Sequence, residues 1–252
     1  MTIDGAFVTI DSGGAPMRAY VVRPRAAGRY PGIVAFSDIF QLTPSTLRAL
    51  DRLSGFGFVV AAPEIYHHIE PAGAAFAFDD AGRDRGLADA KRTNVADFDA
   101  DARAVIAVLR TDPGVAAGAI GAAGWCLGGH LAFRAALQPE VVATTCFYAT
   151  GVHSGELGAD ADAGTLARAH EISGELLLIF GARDPHVPRE GRDLIARELE
   201  RAGTNFALTI YDAEHAFMRD EGPRYDPELT ARAYAEAAAF FRRALPISRP
   251  SV

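Results

Sequence analysis

Ala119-Ile120-Gly121-Ala122-Ala123-Gly124-Trp125-Cys126-Leu127-Gly128-Gly129-His130 is the stretch on which the reading of this chain turns. A short apolar run with the character of a buried strand meets Gly-x-Cys-x-Gly. An amphipathic helical pattern then begins at Leu127. This is the layout of a nucleophile elbow, a turn so sharp that its central side chain stands clear of the sheet. Glycines at 124 and 128 let strand and helix approach closely, and Gly124 tolerates backbone angles that other residues resist. The central residue is Cys126 rather than serine, which points to a thiolate. Taken alone, the pentapeptide also fits a buried core cysteine, so the functional reading depends on partners further along.

Bulk properties narrow the field. The chain has 252 residues, 49% of them hydrophobic, enough for a substantial core in one α/β domain spanning 1–252. The formal charge is −7 and no Lys/Arg cluster stands out, so nucleic acid and anionic membrane surfaces are not expected partners. No apolar stretch approaches a membrane span. Met1-Thr2-Ile3-Asp4-Gly5 lacks the basic-then-apolar pattern of a signal peptide. Two cysteines, Cys126 and Cys146, are too few for a disulfide framework and wrongly spaced for zinc. A reducing cytoplasm is the expected location.

Hydrophobic patterning predicts alternating strands and helices. Strands at 6–10 and 17–23 flank the turn Asp11-Ser12-Gly13-Gly14, an expected N-terminal hairpin. The continuous apolar run at 32–36 reads as a strand covered on both faces, 56–62 as another buried strand, and 141–148, 175–180 and 206–211 as further strands. Thr43 and Pro44 open a helix running to Gly55. Val95, Phe98, Ala102, Val105, Ile106 and Leu109 describe one helix face. Further helices are expected at 188–202 and 227–245. Residues 64–93 show no clear periodicity and read as a long functional loop. The polar stretch 151–174 is too short for a large lid, which favours a small soluble substrate. The whole predicts a mostly parallel, twisted sheet with right-handed crossovers and helices on both faces.

Two further residues complete a constellation. Leu176 to Gly181 is a strand, and Ala182-Arg183-Asp184-Pro185 places a carboxylate just past its end. Phe206 to Tyr211 is the next strand, and Asp212-Ala213-Glu214-His215 places an imidazole just past that. Nucleophile, acid and histidine, in that chain order at one sheet edge, is the arrangement of an α/β-hydrolase. Asp184 could instead cap a helix, and His215 could be a surface loop residue. In the catalytic reading, the helix N-terminus and the imidazole favour the Cys126 thiolate. His215 exchanges protons, and Asp184 holds its tautomer. The backbone N–H groups of Leu127 and of a residue following the 32–36 strand form an oxyanion hole.

These segments, with Ser37-Asp38-Ile39-Phe40, Phe78-Asp79-Asp80-Ala81-Gly82, Asp184-Pro185-His186-Val187-Pro188 and His215-Ala216-Phe217-Met218-Arg219, make the chain resemble the dienelactone hydrolase family over nearly its whole length. The resemblance implies hydrolysis of a small lactone or ester in aromatic degradation, dienelactone to maleylacetate above all, through a thioester acyl-enzyme. It implies that the second oxyanion donor is Ile39, and that Asp38 lies beside the nucleophile and supports it. The family's usual residue there is Glu, one methylene longer. It also implies that arginines grip a substrate carboxylate: Arg219 by direct match, and Arg83 or Arg85 from the long loop.

Other residues carry less. Tyr148 is taken as a substrate contact, and Trp125, Phe40, Phe147 and Phe217 are further candidates to line a pocket, although such aromatics also pack cores. His67 and His68, as neighbours on an extended chain, would face opposite ways and not chelate one ion. His130 is expected to pack or bond a loop, His186 to shape the loop after Asp184, and Cys146 to be an inert core thiol. No metal or cofactor is expected, and the chain fits a monomer or a homo-oligomer. Two other functions compete: a non-catalytic ligand-binding protein on the same fold, and a redox-sensing thiol. No resolving Cys-x-x-Cys supports the latter.

Overall fold

The computed structural model describes residues 1–245. The last seven residues of the expected 1–252 domain lie outside the described residues. Eight strands form one sheet: β1 (Ile3–Ser12), β2 (Ala15–Pro24), β3 (Tyr30–Phe36), β4 (Val59–Pro63), β5 (Val115–Trp125), β6 (Val141–Phe147), β7 (Glu175–Gly181) and β8 (Asn205–Tyr211). Their order is β1-β2-β4-β3-β5-β6-β7-β8. β1 pairs antiparallel with β2, and β2 antiparallel with β4; every later pairing is parallel.

The hairpin closes through Gly13 and Gly14 at φ 61° and 88°, with Ser12 opposite Ala15. Two positive φ values in a two-residue loop give the turn whose twist matches the flanking strands. Helices α1 (Pro44–Gly55), α2 (Asp80–Ala90), α3 (Val95–Thr111), α4 (Leu127–Ala135), α5 (Arg189–Ala202) and α6 (Pro227–Ala244) follow or link the strands. Alternation along β3 shows how the sheet is covered. Val34 and Phe36 join one core with Phe98 and Val105 of α3, Leu131 of α4 and Ile195 of α5. Ile33 and Ala35 join the other, with Leu50 of α1 and Phe241 of α6. Both faces of the central strands are therefore buried, and this is why 32–36 reads as an unbroken apolar run, whereas the edge strand β8 has no fully buried residue. Among the described residues no helix is long and apolar enough to cross a membrane.

Three expectations need correction. The segment 64–93 is not one loop, because it contains α2, capped by the Asp79 side chain accepting from Gly82 N–H. β4 starts at Val59 rather than Phe56. Phe56 ends α1, and Gly57 turns the chain at φ 103°. β5 starts earlier than the apolar run, at Val115, with a register shift against β3 between Tyr30 and Gly32.

Candidate active site

The elbow dictates the geometry around the sulfur. A Cβ on Gly124 would run into the Gly128 carbonyl, and one on Gly128 into the carbonyls of Phe36 and Ser37. Only glycines let β5, α4 and the end of β3 meet this closely. Cys126, between them, has φ 58° and ψ −120°. A non-glycine residue held there stores roughly 1–3 kcal/mol of strain. Its surroundings over-determine it: Cys126 N–H donates to Phe147 O at 3.0 Å, and Cys126 O accepts from Gly129 and Thr150 N–H. The sulfur sits at the N-terminus of α4 with 9% of the residue exposed, and lies 4.0 Å from the Thr150 hydroxyl.

Asp184 and His215 are buried at the ends of β7 and β8, and His215 Nδ1 lies 2.7 Å from Asp184 Oδ2. The other carboxylate oxygen accepts from His186 N–H at 2.8 Å. Burial opposes the charge on each partner. Contact with His215 nevertheless draws Asp184 below the ordinary carboxylate range. Burial likewise works against imidazolium, yet the charge on Cys126, the bond to Asp184 and the contact with the sulfur lift His215 to about 9. The Tyr148 and His186 rings meet the His215 ring edge-on, with centroids at 5.2 and 4.6 Å. Burial and the neighbouring His215 charge lower His186.

Cys126 and His215 open onto one cavity of about 610 Å³, together with Ile39, Leu127, Arg83 and Arg219. Leu127 is the first residue of α4, so its N–H has no intrahelical acceptor. In the loop after β3, Phe40 N–H bonds Asp38 Oδ1 and Gln41 N–H bonds Asp38 O. Ile39 N–H has no acceptor among the described residues. A groove of about 320 Å³ between β1 and α3 shares none of these residues.

Two expected roles do not fit this arrangement. Asp38 does not hold the thiol. Its Oδ2 accepts from Arg219 Nε and Nη2 at 3.1 and 2.5 Å, and its Oδ1 is taken by Phe40 N–H. The Arg219 guanidinium itself packs against both the Phe40 and Phe78 rings, at 4.8 and 4.7 Å, and those rings meet edge-on. Burial works against its charge, but Asp38 outweighs it and raises the guanidinium further. Tyr148 is not among the residues lining the cavity. It is buried behind His215, against Phe217, at φ 39°. Of the two loop arginines, Arg83 reaches the cavity rim, where Asp80 and Asp84 hold it. Arg85 pairs with Glu70 and stacks on Phe76.

His67 and His68 also differ from expectation. They occupy a turn rather than an extended strand, and their ring centroids lie 3.8 Å apart. His130 does bond a loop, through Thr150 O and the Thr165 hydroxyl. Cys146 is fully buried, which pushes its thiol far up. Of the aromatics, Phe40 lines the cavity, whereas Trp125 and Phe147 stack on each other in the core. The sequence did not single out Thr150, Lys91, His153, Glu156 or Arg224 as cavity residues. Their one available signal is position: in or next to the stretches 64–93 and 151–174, or just past Arg219.

A cysteine at a strained elbow, on the carboxyl edge of a mostly parallel sheet covered on both faces, defines an α/β-hydrolase fold. The model of the dienelactone hydrolase family matches residues 17–245, and the chain belongs to that family. A Saccharomyces cerevisiae protein provisionally named a carboxymethylenebutenolidase is 37% identical over 244 residues, covering 93% of this chain and 89% of its own. A carboxymethylenebutenolidase from a Pseudomonas species is 30% identical over 241 residues, covering 95% and 96%. The crystal structure of a provisionally named dienelactone hydrolase from Klebsiella pneumoniae superposes with a TM-score of 0.83 at 22% identity. It covers 96% of this chain and 99% of that one, a likeness of fold.

Proposed function

We propose that the chain hydrolyses a small, carboxylate-bearing lactone or ester by transient acylation of Cys126, with dienelactone to maleylacetate as the leading reaction. The observation that carries this is the positive-φ elbow presenting Cys126 to the same cavity as a buried His215–Asp184 pair. The names borne by the yeast and Pseudomonas relatives support the substrate class.

His215 takes the thiol proton, and the thiolate attacks the ester carbonyl. The resulting oxyanion is held by the N–H groups of Ile39 and Leu127. Collapse breaks the C–O bond, His215 protonates the leaving oxygen, and a thioester remains on Cys126. His215 then deprotonates a water that attacks the thioester, and the sulfur departs as thiolate with the acid as product. Asp184 keeps the His215 Nδ1–H in place and stabilises imidazolium. Arg219 meets the substrate carboxylate, which has to share or displace Asp38, and Arg83 adds charge at the rim.

Incubating the purified protein with dienelactone and with small aryl esters tests the reading. Turnover, with a rapid-quench mass increase on Cys126 equal to the acyl group, is the expected result. No turnover of either substrate by reduced protein would overturn it.

A further inference from the structure

None of His67, His68 and Asp101 lines the cavity of the proposed chemistry, and their donor atoms all lie within 4.8 Å of one another. The turn that follows β4, with His67 N–H on Glu64 O and Glu70 N–H on Tyr66 O, brings the two imidazoles side by side. Asp101 comes from α3. Its Oδ1 accepts from the Ser12 hydroxyl at 2.6 Å and lies 3.0 Å from His67 Nε2. The side chains of His67 and Asp101 are each 3% exposed, while His68 is exposed.

The hydrogen bonding leaves a specific deficit. A carboxylate only accepts, so the bond to Asp101 places the His67 proton on Nε2. The other ring nitrogen of His67, Nδ1, is buried with no partner. Asp101 Oδ2 is also buried with no donor. An unanswered carboxylate oxygen beside two imidazoles, one of them facing solvent, marks a place short of positive charge. A cation can take the place of the proton between His67 Nε2 and Asp101 Oδ1, which at 3.0 Å already stand near the spacing of two ligands on one ion.

We propose that His67, His68 and Asp101 form a binding site for a borderline divalent metal ion of the zinc class. Two imidazoles and a carboxylate are a donor set that Zn²⁺, Cu²⁺, Ni²⁺ or Co²⁺ accepts, whereas Ca²⁺ and Mg²⁺ prefer oxygen. Bonds of about 2.0–2.2 Å require donors about 3.4 Å apart. His68, free in solvent, supplies the inward adjustment. Its exposure leaves the remaining coordination positions to water. The ion would tie the connection leading into α2 to α3 and, through Ser12, to the β1–β2 turn. Arg83, Leu87 and Lys91 on or beside α2 line the cavity, so the brace would steady one cavity wall without touching the sulfur.

Zn²⁺ calorimetry on Cys126→Ala protein, which lacks the metal-seeking thiol of the cavity, is the test. The expected result is one equivalent bound, with affinity falling at least about tenfold in a second background carrying His68→Ala. Cu²⁺ paramagnetic resonance should show two ring nitrogens in the parent and one after His68→Ala. His68 is exposed, so that variant folds, and in chain retaining Cys126 it should keep parental hydrolysis. Absence of binding in the parent, or binding unchanged by His68→Ala, would overturn the site.

Discussion

Two buried carboxylates stand at the same sheet edge, and each holds a cation from the loop after β8. Asp184 holds His215, and Asp38 holds Arg219, four residues further on. Both acids lie mostly out of solvent, at 3% and 8% exposure. The difference is in the cation. An imidazole gives up its proton within the range of ordinary pH, and a guanidinium does not. The first pair is therefore suited to carrying a proton to and from sulfur. The second is a fixed charge, further immobilised by two aromatic rings. On the proposed mechanism, one stretch of chain supplies both a relay and an anchor, and the residue type decides which is which.

The contrast is tested hardest at the relay. Replacing Cys126 with alanine should lower kcat for aryl esters on the order of 10³-fold or more, since loss of a nucleophile is among the largest single effects in triad enzymes. Residual activity near the parent level would remove the sulfur from the mechanism. Asp184→Asn should follow, at on the order of 10²–10⁴-fold in kcat, because an amide can stabilise the wrong His215 tautomer. KM should move little. A change confined to KM would mean that Asp184 only shapes the loop.

At the anchor the signature is different. Asp38→Asn leaves Arg219 charged and half-buried with a weaker partner, at a stability cost of about 1–3 kcal/mol, less than for a fully buried broken pair. Arg219→Met should raise KM for carboxylate-bearing esters and spare neutral ones, with stability restored in part by combining it with Asp38→Asn. Denaturant midpoints and paired substrates read both effects. If neutral and anionic esters suffer alike, Arg219 does not act as a charge anchor.

Much of this was legible before any coordinates. The central strands announced themselves because both their faces are covered, and the elbow because glycine at 124 and 128 is sterically required. Helix α2 was hidden for a physical reason. Its buried positions are Gly82, Gly86, Asp89 and Ala90, so it packs by close backbone approach to Ala77 and Ile39 and shows no stripe of large apolar residues. The pairing of Asp38 with Arg219 depends on two loops 181 residues apart and carries no local signal. Tyr148 looked like a strand-end pocket residue, but its positive φ turns it inward behind His215. His67 and His68 were misjudged because alternation applies to an extended chain and not to a turn.

The smallest expected effect concerns pH and separates relay from anchor most sharply. His215 is raised from the ordinary 6.5 to about 9. Between those values the folded chain holds a proton that the unfolded chain has lost. The contribution to stability is therefore complete below 6.5 and disappears as pH climbs through 9. Its slope is at most about 1.4 kcal/mol per pH unit, the limit for one proton. Arg219 stays charged throughout this window and adds no slope. Cys126→Ala removes the sulfur that helps lift His215 while leaving the opposing burial in place, so the window should narrow and the slope above pH 7 flatten. Urea midpoints measured across this range in both proteins decide the matter. Parallel curves would mean that sulfur and imidazole do not share a proton.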